Sequence, residues 1–244
     1  MKALLKLAVA GLIGTSSVSL HATNFPGNGN TGFGGPIGQG SLTLTDDGTT
    51  ISGTFNKGPN GFNDVLVIYI DSVGGGFADT LGFGDSGDGL RKAISGFDGG
   101  ANRSTLNFSS FSPDYAIALG PSSDSFGGLW QLANGGANSL NFVASVSLTP
   151  TGTPNSSSYS FSFNVSQIGL TPNSGATIGL LGTYISNTGY RSDEGVAGNL
   201  TGTQGYNTFT QTAAGSHTIV PEPSSLALLA LGGVGALLWR KRRA

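Results

Sequence analysis

The 244-residue chain contains no cysteine, and its single methionine is Met1. The absence of cysteine excludes disulfides, thiolate metal sites and a cysteine nucleophile. Charged residues make up only 10% of the chain. Between residues 23 and 220 there are twelve acidic residues and five basic ones. This acidic, sparsely charged body has no basic stripe that could bind nucleic acid, so we expect no nucleic-acid partner.

The chain is rich instead in small and polar residues, with 42 glycines. Together with its β-branched and aromatic residues, this composition favours short strands joined by polar turns. Strand-like patterns occur at residues 41–45, 49–55, 64–71, 115–119, 129–133, 141–149, 158–165, 178–186 and 206–212. The run 65–70 is apolar throughout, which is typical of a strand that is buried on both faces. A short helix is expected around residues 90–94.

The nine segments, without a long amphipathic helix between them, predict an all-β fold. We expect one antiparallel β-sandwich of about nine strands over residues 23–219. Residues 23–40 are rich in glycine, asparagine and proline, and we interpret them as a loose leader or an irregular first strand.

The N-terminus has the form of a secretory signal peptide. Lys2 and Lys6 lie before a short apolar run at residues 7–13. A mostly polar stretch follows the run and ends at the small residue Ala22. This order predicts a signal helix over residues 1–22, handled by Sec-type export machinery and cleaved after Ala22. The alternative is a short buried helix.

The C-terminus contains an apolar run of 14 residues, 226–239, followed by a basic cluster. A helix of this length covers ~21 Å, whereas a bilayer core is ~30 Å thick. Residues 224–239 therefore predict a marginal transmembrane helix in contact with membrane lipid. The basic cluster stays on the cytoplasmic side, so the domain lies outside.

The last 25 residues, 220–244, resemble a known sorting signal. The resemblance rests on three parts in order: a Pro-Glu-Pro-Ser motif, the apolar helix and the terminal basic residues. These residues are Pro221, Glu222, Pro223 and Ser224, and then Arg240, Lys241, Arg242 and Arg243. Together they resemble the PEP-CTERM protein-sorting signal. The resemblance implies an exosortase-type membrane protease that removes the tail and delivers the protein to the cell surface or extracellular matrix. The alternative is a permanent anchor.

Residues 64–71 and the glycine-rich loop after them resemble the strand and loop of carbohydrate-binding-module-9 and DOMON-type sandwiches. Those domains bind sugars or haem. The body offers no methionine–histidine pair for haem, since its only histidine outside the signal peptide is His217. The resemblance therefore points to carbohydrate.

An acidic, glycine-rich stretch carries Asp79, Asp85 and Asp88. Carboxylates on such loops suit a hard cation, and a structural Ca²⁺ ion is one interpretation. The spacing does not match an EF-hand, however. The other interpretation is a solvated loop in which an aspartate caps the helix expected near Leu90.

Catalytic residues are scarce. A Ser-His-acid triad would require His217, which lies just before the sorting signal in a poor place for a rigid site. The body has a single glutamate, Glu194, and nothing singles out a pair of glycosidase carboxylates. Trp130 and Tyr190 are candidates for stacking on sugar rings, as are Tyr115, Tyr184 and Tyr206. We therefore expect a non-enzymatic carbohydrate-binding, matrix-binding or structural module, with a secreted polysaccharide hydrolase as the alternative.

Overall fold

The computed structural model describes residues 20–120, 127–133, 140–146 and 148–221. The strands are β1 His21–Pro26, β2 Ser41–Asp46, β3 Thr50–Asn56, β4 Val65–Asp71, β5 Thr105–Asn107, β6 Tyr115–Leu119, β7 Gly127–Leu132, β8 Leu140–Ser145, β9 Ser158–Asn164, β10 Thr177–Ile185, β11 Arg191–Val196, β12 Gly198–Thr201 and β13 Thr208–Thr218. Helix α1 spans Gly89–Ser95, and a 3₁₀ turn spans Val165–Ile168.

The strands form two sheets. The smaller sheet has the order β1-β2-β3-β9, and all of its pairs are antiparallel. The larger sheet has the order β12-β13-β10-β4-β6-β7-β8, with β11 paired to β10 and β5 paired to β13. The prediction of an all-β fold is confirmed. The strand number is thirteen in the described residues rather than about nine, and β5 runs parallel to β13, so the fold is not purely antiparallel.

The main core lies between the two sheets. On β9, Tyr159, Phe161 and Phe163 are buried while the alternate residues are exposed, as their period of two predicts. They face a second set of apolar side chains on the larger sheet, which includes Leu66 and Ile68 of β4. This arrangement makes the fold a sandwich.

A second apolar cluster covers the other face of the larger sheet. Val65, Val67 and Tyr69 of β4 belong to it, and Leu90 and Ile94 of α1 pack in the same cluster. Strand β4 is therefore buried on both faces, which confirms the interpretation of its continuous apolar sequence. The helix expected near residue 90 is also confirmed.

Of the two interpretations of residues 23–40, the first strand is present as β1, which ends at Pro26. Residues 27–40 are mostly half-buried, with residues 35–38 buried, so the prediction of a loose leader is wrong. The carboxylate of Glu194 on β11 holds this segment. Glu194 Oε1 accepts hydrogen bonds from the backbone N–H of Phe33 (2.6 Å) and Gly35 (3.2 Å). Its Oε2 accepts from Ile37 and Gly38, both at 3.0 Å. Four N–H groups thus converge on one fully buried carboxylate.

Residues 1–19 and 222–244 lie outside the described residues, and with them most of the signal peptide and the predicted helix at 224–239. Within the described ranges, no helix combines the length and the apolar character that crossing a bilayer requires.

Replacing Glu194 with glutamine should destabilise the domain by about 3 kcal/mol. An amide offers one oxygen instead of two, so two of the four N–H groups would face an NH₂ group, and hydrogen bonds to a charged group contribute about 1.5–3 kcal/mol each. Urea unfolding of the full chain in detergent would measure the loss. Asp64→Asn is the control, because burial raises the pKa of Asp64 and so disfavours its charged form, and removing that charge should cost no stability. Equal effects of the two substitutions would contradict the role of Glu194.

Candidate functional site

Three aromatic rings from separate segments meet at one end of the larger sheet. Tyr190 closes the turn between β10 and β11, where its backbone N–H donates to Ser186 Oγ at 3.0 Å. Tyr206 lies in the loop between β12 and β13. Phe33 belongs to the segment that Glu194 holds. We call Phe33, Tyr190 and Tyr206 the aromatic patch.

The rings of the aromatic patch contact one another in a row. Phe33 stacks on Tyr190 with 5.9 Å between ring centroids, and Tyr206 meets Tyr190 edge-on at 5.3 Å. Tyr206 is 36% exposed, while Phe33 and Tyr190 are half-buried. Phe33 also packs edge-on against the buried Tyr184, with 5.3 Å between ring centroids, so the patch is in direct contact with the core. The row therefore presents partly exposed ring surface on a fixed base.

Polar side chains lie directly beside the aromatic patch. Ser192 and Asp193 follow Tyr190 on β11, and Gln204 precedes Tyr206 in its loop. Side-chain oxygens of all three residues would lie within 3 Å of a β-carbon on Gly32, the neighbour of Phe33. The aromatic patch is thus bordered by hydrogen-bonding groups, the combination found in sites for amphipathic ligands.

Tyr190, which the sequence singled out, lies in this site with Tyr206. Sequence reasoning missed Phe33, because it lies in the segment interpreted as a loose leader. It also missed Ser192, Asp193 and Gln204, for which no spacing motif exists.

The prediction that Trp130 offers a stacking platform is wrong. Trp130 is fully buried, and its ring lies over Gly128, where a β-carbon would collide with it. The guanidinium of Arg91 covers the ring at 5.6 Å from its centroid. Trp130 is therefore a core residue. Tyr115 and Tyr184 are likewise buried.

The three aspartates proposed as Ca²⁺ ligands each bind protein donors instead. Asp79 accepts from the backbone N–H of Leu81 at 2.8 Å. Asp88 caps α1 by accepting from the N–H of Arg91, and its other oxygen contacts the Arg91 guanidinium. Asp85 lies 3.3 Å from Arg91 Nε. In the described part of the chain, no three acidic or histidine side chains gather as a metal site. The helix-capping interpretation therefore describes Asp88.

His217 lies in a rigid position, against the sequence-based expectation. Its Nε2 is 2.8 Å from Asp46 Oδ2, and its Nδ1 is 2.9 Å from Thr23 Oγ1. Asp46 Oδ1 also accepts from the backbone N–H of Val220 at 2.7 Å. This chain of hydroxyl, imidazole and carboxylate has the connectivity of a catalytic triad. His217 and Asp46 are each only 1% exposed, however, and the three side chains link β13 to β2 through Asp46 and to β1 through Thr23.

The predicted cleavage point after Ala22 falls within β1. Cleavage there would remove His21 and Ala22, which are exposed, and leave Thr23 at the new N-terminus with its bond to His217. The cleavage position stays a prediction.

The fold and site describe an all-β sandwich with a partly exposed aromatic patch. Comparison with known proteins adds its sorting class: residues 220–243 match the PEP-CTERM protein-sorting motif. The resemblance of the tail is therefore confirmed: residues 220–243 carry a PEP-CTERM protein-sorting motif, a signal that implies export and processing at the membrane. No curated protein and no solved structure matches the chain, so the resemblance of residues 64–71 to carbohydrate-binding sandwiches stays a prediction.

The buried histidine should make the domain less stable in mild acid. Burial lowers the pKa of His217 below the value of 6.5, although the hydrogen bond and charge of Asp46 oppose the shift and the nearby His21 adds to it. The unfolded chain therefore binds a proton before the folded one, and stability falls as the pH drops below about 6.5. Urea unfolding at several pH values should show that His217→Gln removes this part of the pH dependence. A wild-type domain that gains stability relative to the variant over this range would instead indicate a charged His217–Asp46 pair.

Proposed function

We propose that this chain is a non-enzymatic protein of the cell surface or extracellular matrix that binds a carbohydrate polymer. The sorting motif supports its export and its recognition by an exosortase-type protease. The acidic balance of residues 23–220 disfavours polyanionic polysaccharides by charge repulsion, so a neutral glycan is the preferred ligand.

The observation that carries this proposal is the aromatic patch. Aromatic side chains combine a large apolar face with, in tyrosine, a polar edge, and this matches the C–H faces and hydroxyl groups of a sugar. Each ring belongs to a different segment, and a hydrogen bond holds each residue. Phe33 N–H donates to Glu194, Tyr190 N–H donates to Ser186 Oγ, and the Tyr206 hydroxyl donates to Thr188. A fixed platform costs little conformational entropy when a ligand binds.

The carboxylates beside the aromatic patch favour binding over hydrolysis. Both oxygens of Glu194 accept backbone hydrogen bonds, and the side chain is fully buried. A glycosidase requires two carboxylates that reach the scissile bond. Asp193 lies beside the patch on β11, and Glu194 cannot serve as its catalytic partner because both Glu194 oxygens are engaged by backbone N–H groups.

Removing the exposed ring should weaken binding. The full chain, purified in detergent, would be tested for retention on insoluble neutral polysaccharides. Tyr206→Ala should weaken retention about tenfold, which corresponds to ~1.4 kcal/mol. Tyr206→Phe should retain most of the binding, because it keeps the ring and loses only the hydroxyl that contacts Thr188.

Phe142→Ala is the control, since Phe142 is an exposed aromatic residue on β8 at the opposite edge of the larger sheet. Equal retention by wild type and Tyr206→Ala would overturn the assignment of the patch. Release of soluble sugars from the same polymers would favour the hydrolase.

Processing predicts a shortened mature protein. If the protease removes the tail, the protein released from cells should lack residues 226–244, which hold the apolar run and the basic cluster. Intact-mass measurement would check this. A mass that extends to Ala244 would indicate a permanent anchor.

A further inference from the structure

Three side-chain oxygens converge beside the aromatic patch. A β-carbon placed on Gly32 would lie 2.6 Å from Ser192 Oγ and 2.8 Å from Gln204 Oε1, and closer still to Asp193 Oδ1. A side chain at this position would have to displace these side-chain oxygens. All three oxygens lie within 3 Å of that one point beside Gly32 Cα, so no two of them are more than 6 Å apart. Each can accept, and Ser192 Oγ already accepts from the Glu194 N–H at 3.2 Å.

One oxygen of this group lacks a hydrogen-bond donor. Asp193 Oδ1 is buried and has no partner among the described residues. No lysine or arginine nitrogen in the described residues lies within 4.0 Å of Asp193 or of its neighbour Glu194. A buried carboxylate oxygen without a partner is costly, and native proteins normally satisfy such atoms. The carboxylate of Asp193 is thus without a cationic partner in the described part of the chain.

We propose that Asp193, Gln204 and Ser192 bind a Ca²⁺ ion, and that this ion takes part in binding the glycan. A carboxylate, an amide carbonyl and a hydroxyl are the hard oxygen ligands that Ca²⁺ prefers. Ca²⁺ takes 6–8 oxygens, so the remaining positions are available to water and to the hydroxyl groups of a sugar on the aromatic patch. The role in glycan binding rests on the proposed function, whereas the ion site does not.

The chemistry of the site selects Ca²⁺ over Mg²⁺. Asp193 and Ser192 lie on β11, while Gln204 is exposed in the loop before Tyr206. Such a partly flexible set suits the variable geometry of Ca²⁺ better than the strict octahedron of Mg²⁺. The competing explanation is a Gln204 amide rotated by 180°, whose nitrogen would donate to Asp193. The two explanations predict different unfolding midpoints for Asp193→Asn in EDTA: unchanged or higher if the site binds Ca²⁺, and lower if Gln204 donates to Asp193.

Thermal unfolding of the full chain in detergent, with CaCl₂, MgCl₂ or EDTA, tests the ion site. CaCl₂ at a 100-fold excess over its Kd should raise the unfolding midpoint by about 5 °C or more, and MgCl₂ should raise it less. Asp193→Asn should abolish the response to Ca²⁺ without lowering the midpoint in EDTA. Asp98→Asn, an exposed loop residue with the same change of charge, should respond as wild type.

The outcomes separate the ion from the glycan. A wild-type midpoint that is the same in CaCl₂ and EDTA would overturn the Ca²⁺ site. A lower midpoint of Asp193→Asn in EDTA would likewise overturn it in favour of the Gln204 hydrogen bond. With the ion site established, retention on polysaccharide that EDTA abolishes supports its role in binding, and retention unaffected by EDTA overturns that role while the proposed function stands. A Ca²⁺ response without retention on any polymer would instead count against the proposed function.

Discussion

The carboxylate of Glu194 is fully buried, and four backbone N–H groups stabilise it where a basic side chain would otherwise be needed. Such bonds are stronger than those between neutral groups, and burial strengthens them further. Gly34 and Gly35 have φ values of 103° and 84°, which L-side chains rarely adopt. The glycines of this segment therefore have a specific purpose: they let successive N–H groups point at one anion.

This one contact determines where the candidate site can form. The bond from Phe33 N–H to Glu194 fixes the middle of the 27–40 segment, and it sets the ring of Phe33 on Tyr190. Gly32 is brought against Ser192 and Asp193 by the same attachment. Both halves of the site, the rings and the oxygens, therefore depend on a glutamate that touches no ligand itself. A positioning role of this kind explains why Glu194 is fully buried.

The sequence predicted those parts of the fold whose burial follows a period. Strand β9 was found through its alternating aromatic residues, and β4 through its apolar run. Strand β11 was missed, because its sequence Arg-Ser-Asp-Glu-Gly-Val is polar although it is mostly buried. Two of its charged residues have partners on other segments: Arg191 Nη1 lies 2.6 Å from Thr183 Oγ1 on β10, and Glu194 accepts from the segment around Phe33. No local pattern reports partners that lie on another strand or, for Glu194, about 160 residues away in the chain.

The site itself was only partly predictable for the same reason. An aromatic residue can be noted from sequence, but its exposure depends on neighbours: Gly128 makes room that buries Trp130, whereas the turn after β10 leaves Tyr190 half-exposed.

Strand β10 connects the candidate site with the C-terminal end of the described chain. Its first residues pair with the end of β13, and Ile219 N–H donates to Ala176 O at 2.8 Å just before the motif. Its last residue precedes the turn that carries Tyr190. Nine residues at ~3.3 Å each separate the two ends by roughly 30 Å. The aromatic patch and the point where the described chain ends, at Pro221, therefore lie at opposite ends of β10, so the proposed ligand site is kept apart from the start of the sorting motif.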